Sequence, residues 1–235
     1  MAVEPFISIT WTEDIEDGEA RVLVYTVSHL VAQVGKRLPF WFQFQALPQI
    51  RPFGDWVILM MPRGSAYSSV DWYLGRSRTA DGRRIDGPAY LRLVELEPWQ
   101  SSTPHFDVAL VGQDLSDGQG RSVLTLARAG LAAVASVHQL RRYGSEEERI
   151  VRLSRLVAHC LGRALGVPLA NRAAGAVVHL GEDVFCANEC AMRAATSFDD
   201  LVALDDPSPE RWGFYCEACQ RDVEAVFIST HYGLN

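Results

Sequence analysis

Two cysteine pairs constrain this chain more than any other feature: Cys186-x3-Cys190 and Cys216-x2-Cys219, about 25 residues apart in a protein of 235 residues. Each pair can span one edge of a coordination tetrahedron while the chain between them closes the loop, so the four thiolates can converge on one Zn²⁺. Two disulfides, or unrelated buried thiols, are the competing readings. The N-terminus, Met1-Ala-Val-Glu-Pro-Phe6, has no basic stretch leading into an apolar core, and no run approaches the roughly 18 apolar residues of a membrane span. A cytoplasmic location is therefore expected, and its reducing conditions favour metal thiolates over disulfides. Four thiolates on one Zn²⁺ sum to −2 and leave no open coordination position, which implies one structural ion held by Cys186, Cys190, Cys216 and Cys219. Cys160, beside His159, reads as a small buried hydrophobe. Neighbouring helix positions point about 100° apart, so adjacency alone does not make these two a nucleophile and its base.

The rest of the chain reads as a globular α/β protein. Hydrophobic residues make up 48% and charged residues 22%, and the net charge of −7 lacks the footprint of a phosphate-binding surface, which argues against a zinc-ribbon nucleic-acid binder. Phe6 to Trp11 predicts a strand, and Leu23, Val27, Leu30, Val31 and Val34 mark one face of a helix. Phe40 to Phe44, Trp56 to Met60, Tyr90 to Leu96, Phe106 to Val111 and Val123 to Ala127 read as further strands, with 64–88 a long hairpin or irregular excursion. Ser145-Glu-Glu-Glu148 is a capping box. It opens a helix with apolar residues at Ile150, Leu153, Val157, Leu161 and Ala164, stopped by Gly166 and Pro168. The order predicts a mixed sheet covered by helices. One domain is expected over 1–235, with 182–235 as its zinc-binding C-terminal segment.

In order and rough spacing, Asp107-Val-Ala-Leu-Val111, Val123-Leu-Thr-Leu-Ala-Arg128, His159-Cys-Leu-Gly162, Cys190-Ala-Met192 and Cys216-Glu-Ala-Cys219 resemble the archaemetzincins. That family combines a zinc-peptidase motif, H-E-x-x-H-x-x-G-x-x-H, with a cysteine-rich segment holding a second, structural zinc. The resemblance implies a metzincin-like mixed sheet with covering helices and a four-cysteine zinc knuckle. It places His159 at the motif's second histidine, Gly162 at its glycine and Met192 at the family's Cys-x-Met. Arg155, Leu156 and Leu165 stand where the first histidine, the general base and the third histidine belong. A peptidase of this kind needs three imidazoles on the metal and a carboxylate to take a proton from the bound water.

The substitutions imply a chain that is not an enzyme but a protein-binding adaptor. By similarity to bacterial transcription-regulatory zinc proteins of this type, its partner is another protein, a CarD-type transcription factor, with no direct contact to nucleic acid or membrane. The alternative is a zinc metallopeptidase, an aminopeptidase, with replaced ligands drawn from His159, His179 and Asp183. His29, His105, His138 and His231 lie outside any motif. Arg152, Arg155, His159 and Arg163 share one helix side, as a charged face of the cleft or a solvated basic stripe. Two stretches offer an interface: 64–88 with Tyr67, Trp72 and Tyr73, and 166–181 with Val167, Pro168, Leu169, Val177 and Val178.

Overall fold

The computed structural model describes residues 6–43, 47–142, 144–173, 175–195, 198, 200 and 214–231. Much of the stretch between the two cysteine pairs lies outside them. Strand β1 (Phe6–Trp11) buries Ile7 and Ile9, and helix α1 (Asp17–Arg37) follows through a capping box of Glu16 and Glu19. Leu23, Val27, Leu30, Val31 and Val34 form its buried face, as their spacing requires. After a short helix α2 (Phe40–Gln43) comes β2 (Gln49–Gly54), parallel to β1. Helix α3 (Val70–Arg76), the two-residue strand β3 (Ile85–Asp86) and helix α4 (Gly87–Glu95) lead to the central strand β4 (Phe106–Val111). Short strands β5 (Leu115–Ser116) and β6 (Ser122–Val123) precede β7 (Thr125–Arg128) and β8 (Ala132–Ser136). Helix α5 (Glu146–Ala164), the hairpin β9 (Val177–Leu180) and β10 (Asp183–Cys186), and helix α6 (Glu217–His231) complete the described chain.

The main sheet has the order β2-β1-β4-β8-β7, parallel except for the antiparallel pairing of β7 with β8. The period of two along β4 divides its side chains between two cores: Val108 and Leu110 join α1 and α5 on one face, Ala109 and Val111 join α3 and α4 on the other. This is the mixed α/β sheet that the sequence order predicts.

Three predicted strands are corrected. Tyr90 to Leu96 falls in α4: Asp86 accepts a bond from Ala89 N at 3.0 Å, Pro88 sits in the first turn, and Tyr90, Leu91 and Val94 are buried together at helical spacing. Phe40 starts a helix instead of a strand, with Phe44 outside the described residues. Trp56 to Met60 makes only a bridge from Val57 to Ser69. Conversely, Gln49–Gly54 is a strand despite Pro52, which an edge strand tolerates because its outer side needs no amide. The 64–88 stretch contains α3 and β3, not a hairpin. Tyr73, offered as an interface residue, is buried in the second core, with Tyr67 and Trp72 packed beside it.

Leu110, fully buried in the central strand, carries the first prediction. Leu110→Ala should lower unfolding stability by about 2–5 kcal/mol, read as a lower urea midpoint with an unchanged slope.

Candidate functional site

The four cysteines arrive from three pieces of chain. Cys186 closes β10, whose register with β9 pairs it to Val177. Its amide donates to the Met192 carbonyl at 2.8 Å, folding the Cys190 turn back on the hairpin, and the Ala191 amide donates to Phe214 O at 2.7 Å. Cys216 immediately precedes α6, and Cys219 lies in that helix's first turn. The Sγ atoms of Cys186 and Cys216 are 3.7 Å apart and those of Cys190 and Cys219 3.8 Å, with all four thiols free. A Zn–S bond of about 2.3 Å gives a tetrahedral S···S edge of about 3.8 Å, so the donor set fits Zn²⁺. Donors surround the sulfurs. Arg172 Nη1 lies 3.4 Å from Cys186 Sγ, Arg172 Nη2 3.2 Å from Cys219 Sγ, and Asn188 Nδ2 3.4 Å from Cys216 Sγ. Asp222, 2.7 Å from Arg172, fixes that guanidinium in place, so its charge offsets the −2 of a four-thiolate zinc centre.

Helix α5 lies against this centre. His159 Nδ1 donates to the Ala191 carbonyl at 2.7 Å, and its ring stacks on Phe185. Gly162 is where the turn approaches closest: a Cβ there would lie 2.2 Å from Met192 Sδ. Most of the predicted polar face is covered, with Arg155 half-buried. Arg152, His159 and Arg163 are buried, and Arg163 pairs with Asp183, donates to Val184 O at 2.7 Å and lies over the Phe185 ring. Leu156 and Leu165, 1% and 2% exposed, are core residues. The helix positions of the peptidase motif therefore do not fit a catalytic cation. His179 is exposed on β9 and Asp183 is committed to Arg163, and among the described residues these two form no ligand cluster with His159. In the 166–181 insert, Val167 is core while Val178 is exposed.

A second set of donors, missed in the sequence, lies on the other face of the sheet. Glu97 follows α4, His105 precedes β4 and Asp107 is the second residue of β4; their ligand atoms lie within 4.8 Å of one another. They line a cavity of about 360 Å³ whose walls include Phe6, Trp56, Tyr73, Tyr90 and Trp99. Tyr73 Oη donates to Glu97 Oε1 at 2.5 Å. Burial and the Asp107 charge push the Glu97 carboxyl up to about 7, against the pull of Tyr73, His105 and Trp99. Burial disfavours a charged His105, but Asp107, the Thr103 carbonyl and Glu97 outweigh it and raise its pKa. The one sequence signal available was His105-x-Asp107 at a strand start, two positions that face the same way.

No protein-family profile and no curated protein matches the sequence. Solved structures do. An archaemetzincin from Methanopyrus kandleri is 14% identical, with 96% of this chain and 97% of that one covered at a TM-score of 0.54. An archaemetzincin from Archaeoglobus fulgidus, complexed with malonate, is 18% identical over 92% of this chain and 98% of that one, TM-score 0.54. A zinc-dependent peptidase from Methanocorpusculum labreanum is 15% identical over 92% and 99%, TM-score 0.56. The fold is thus the archaemetzincin one, and zinc is the metal that fits the four cysteines. These neighbours also correct the expectation that the chain is not an enzyme: the fold is one that carries zinc-dependent peptidases. Replacing one ligand set on one helix does not decide what another set in the same fold can do. Among the described residues, no helix is long and apolar enough to cross a membrane.

Two predictions follow from this geometry. Cys190→Ser or Cys216→Ser should release the zinc and unfold the segment carrying β9, β10 and α6, since structural zinc contributes on the order of 10 kcal/mol in small sites; metal analysis and hydrogen exchange read both effects. His159 supplies a pH dependence. Burial, with a smaller push from Arg163, lowers its pKa to about 4 against the pull of Ala191 and Asp183. The unfolded chain binds this proton near pH 6.5 and the folded chain does not, so stability should fall by about 3 kcal/mol as pH drops from 6.5 to 4. His159→Gln should lose that acid-side slope in urea titrations.

Proposed function

We propose that this protein is a zinc-dependent peptidase of the archaemetzincin fold, an aminopeptidase in its reaction class, with replaced catalytic ligands. The observation that supports it most is the packing of α5 on the Cys190-Ala191-Met192 turn. Gly162 gives Met192 its place, and His159 is held by the Ala191 carbonyl at 2.7 Å. These are the features the resemblance assigns to the peptidase helix and its methionine, and they persist although Arg155, Leu156 and Leu165 replace motif residues. The cation of such an enzyme has to be held away from those positions. Short peptides with free N-termini, incubated with the zinc-saturated chain and followed by mass spectrometry, should lose their first residue in a chelator-sensitive reaction. Absence of any cleavage with zinc and with cobalt contradicts this reading.

A second reading is supported by the loop after β2. Leu59 and Met60 are 88% and 95% exposed, with Val57 and Met61 also exposed beside them. Contiguous exposed apolar residues of this kind suit a protein interface, as an adaptor for another protein such as a CarD-type transcription factor would need. Leu59→Ser with Met60→Ser should abolish binding to a purified CarD-type factor while leaving zinc content unchanged; equal binding by wild type and variant contradicts it.

A further inference from the structure

We propose that Glu97, His105 and Asp107 form a second metal site, taking a divalent first-row cation of the zinc type with one coordination position open to the aromatic cavity. His105 Nδ1 lies 2.8 Å from the Thr103 carbonyl, which can only accept, so Nδ1 carries a proton. Nε2 then faces the carboxylates, 3.2 Å from Asp107 Oδ2 and 3.9 Å from Glu97 Oε2. Donating the far ring nitrogen to a backbone carbonyl while the near one faces anionic oxygens is how metal-bound histidines are held.

The carboxylates carry the second observation. The Glu97 side chain is 7% exposed and lines the cavity, and its Oε2 has no hydrogen-bond partner among the described residues. Its other oxygen is taken by Tyr73. Gln100 Nε2 donates to Asp107 Oδ2 at 3.0 Å and lies 3.4 Å from His105 Nε2, which steadies the pair without reaching Glu97. An unpartnered buried carboxylate oxygen is costly. With one divalent cation bound, two carboxylates and a neutral imidazole bring the buried set to zero.

Spacing agrees. Ligands at about 2.0–2.2 Å from zinc stand about 3.3 Å apart in a tetrahedron. His105 and Asp107 already have that separation, and the free Oε2 of Glu97 has to close on His105 Nε2 by about half an ångström. Three protein ligands with an open fourth position is the pattern of reactive zinc sites, in contrast to the closed four-cysteine centre. One nitrogen and two oxygens also set it chemically apart from four sulfurs. The site would supply the cation that the proposed peptidase activity requires, but metal binding there stands whether or not peptides are cleaved.

The test is stoichiometry on the full chain with Co²⁺ and Zn²⁺ as probes. The metal-stripped protein should bind two equivalents. One Co²⁺ should show intense thiolate-to-metal absorption, the other only weak d–d bands from nitrogen and oxygen ligands. Glu97→Gln, which keeps the Tyr73 partner, and Asp107→Asn should each weaken the second site at least tenfold while leaving the thiolate band intact. A wild-type chain saturated by one equivalent, or a second Co²⁺ that also shows thiolate bands, overturns the proposal and leaves the cluster a proton-linked ion pair. So does unchanged second-site affinity in folded variants. Two metals bound without any peptide cleavage contradicts the peptidase reading and leaves this site standing.

Discussion

The convergence of four sulfur atoms ties together the described parts of the C-terminal segment: the β9–β10 hairpin, the turn at Cys190 and α6. The Sγ separations of 3.7 and 3.8 Å match the edges of a zinc–thiolate tetrahedron. Four thiolates at that distance would repel one another, so a cation at the centre, with Arg172 beside it, would stabilise the arrangement. The consequences spread outward. With Cys186, Cys190, Cys216 and Cys219 joined, the β9–β10 hairpin, the Met192 turn and α6 become one unit. That unit presents Ala191 O to His159 and Met192 to Gly162, and Tyr215 reaches the Ala158 carbonyl at 2.6 Å. A short structural motif thereby fixes one face of the helix that, in the resembling family, carries the reaction.

That face no longer offers an open ring of ligands. Phe185, Asp183 and the turn cover it, and hydrocarbon occupies Leu156 and Leu165. The polar chemistry that remains concave lies across the sheet. There the alternation of β1 and β4 turns Ser8, Thr10 and Asp107 toward α3 and α4 and opens a cavity of about 360 Å³. Its mostly apolar walls, aromatic in part, and few convergent polar groups are the usual composition of a small-molecule site. The two faces have different electrostatics. On the α5 side the buried charges are paired, Arg163 with Asp183 and Arg172 with Asp222. On the cavity side two carboxylates share one imidazole.

What the sequence made legible follows from how local each signal is. The four cysteines declare themselves because each pair lies within one turn of chain, and α5 is announced by a capping box that is present as read, with Ser145 N 2.7 Å from Glu148 Oε2. Strands buried on both faces, such as Phe106 to Val111, are short apolar runs and are recognisable as such. Tyr90 to Leu96 reads as a strand because its apolar residues suit either period over so few positions; the Asp86 cap and Pro88 make it a helix. Helix Phe40–Gln43 is a single turn, too short for periodicity to speak. Glu97, His105 and Asp107 could not be found as a set. They sit on a helix end, a loop and a strand, and only the packing of α4 over the sheet, against β8 and β7, brings them together. The burial of His159 and Arg163 is equally hidden, since Val184 and Phe185 of β10 and Ala191 of the turn cover them.

The central claim, that a four-sulfur zinc centre organises this fold, is tested most directly by X-ray absorption at the zinc edge on protein loaded with one equivalent of Zn²⁺. The account predicts a first shell of four sulfurs at about 2.3 Å. A first shell dominated by nitrogen or oxygen at about 2.0 Å would contradict it.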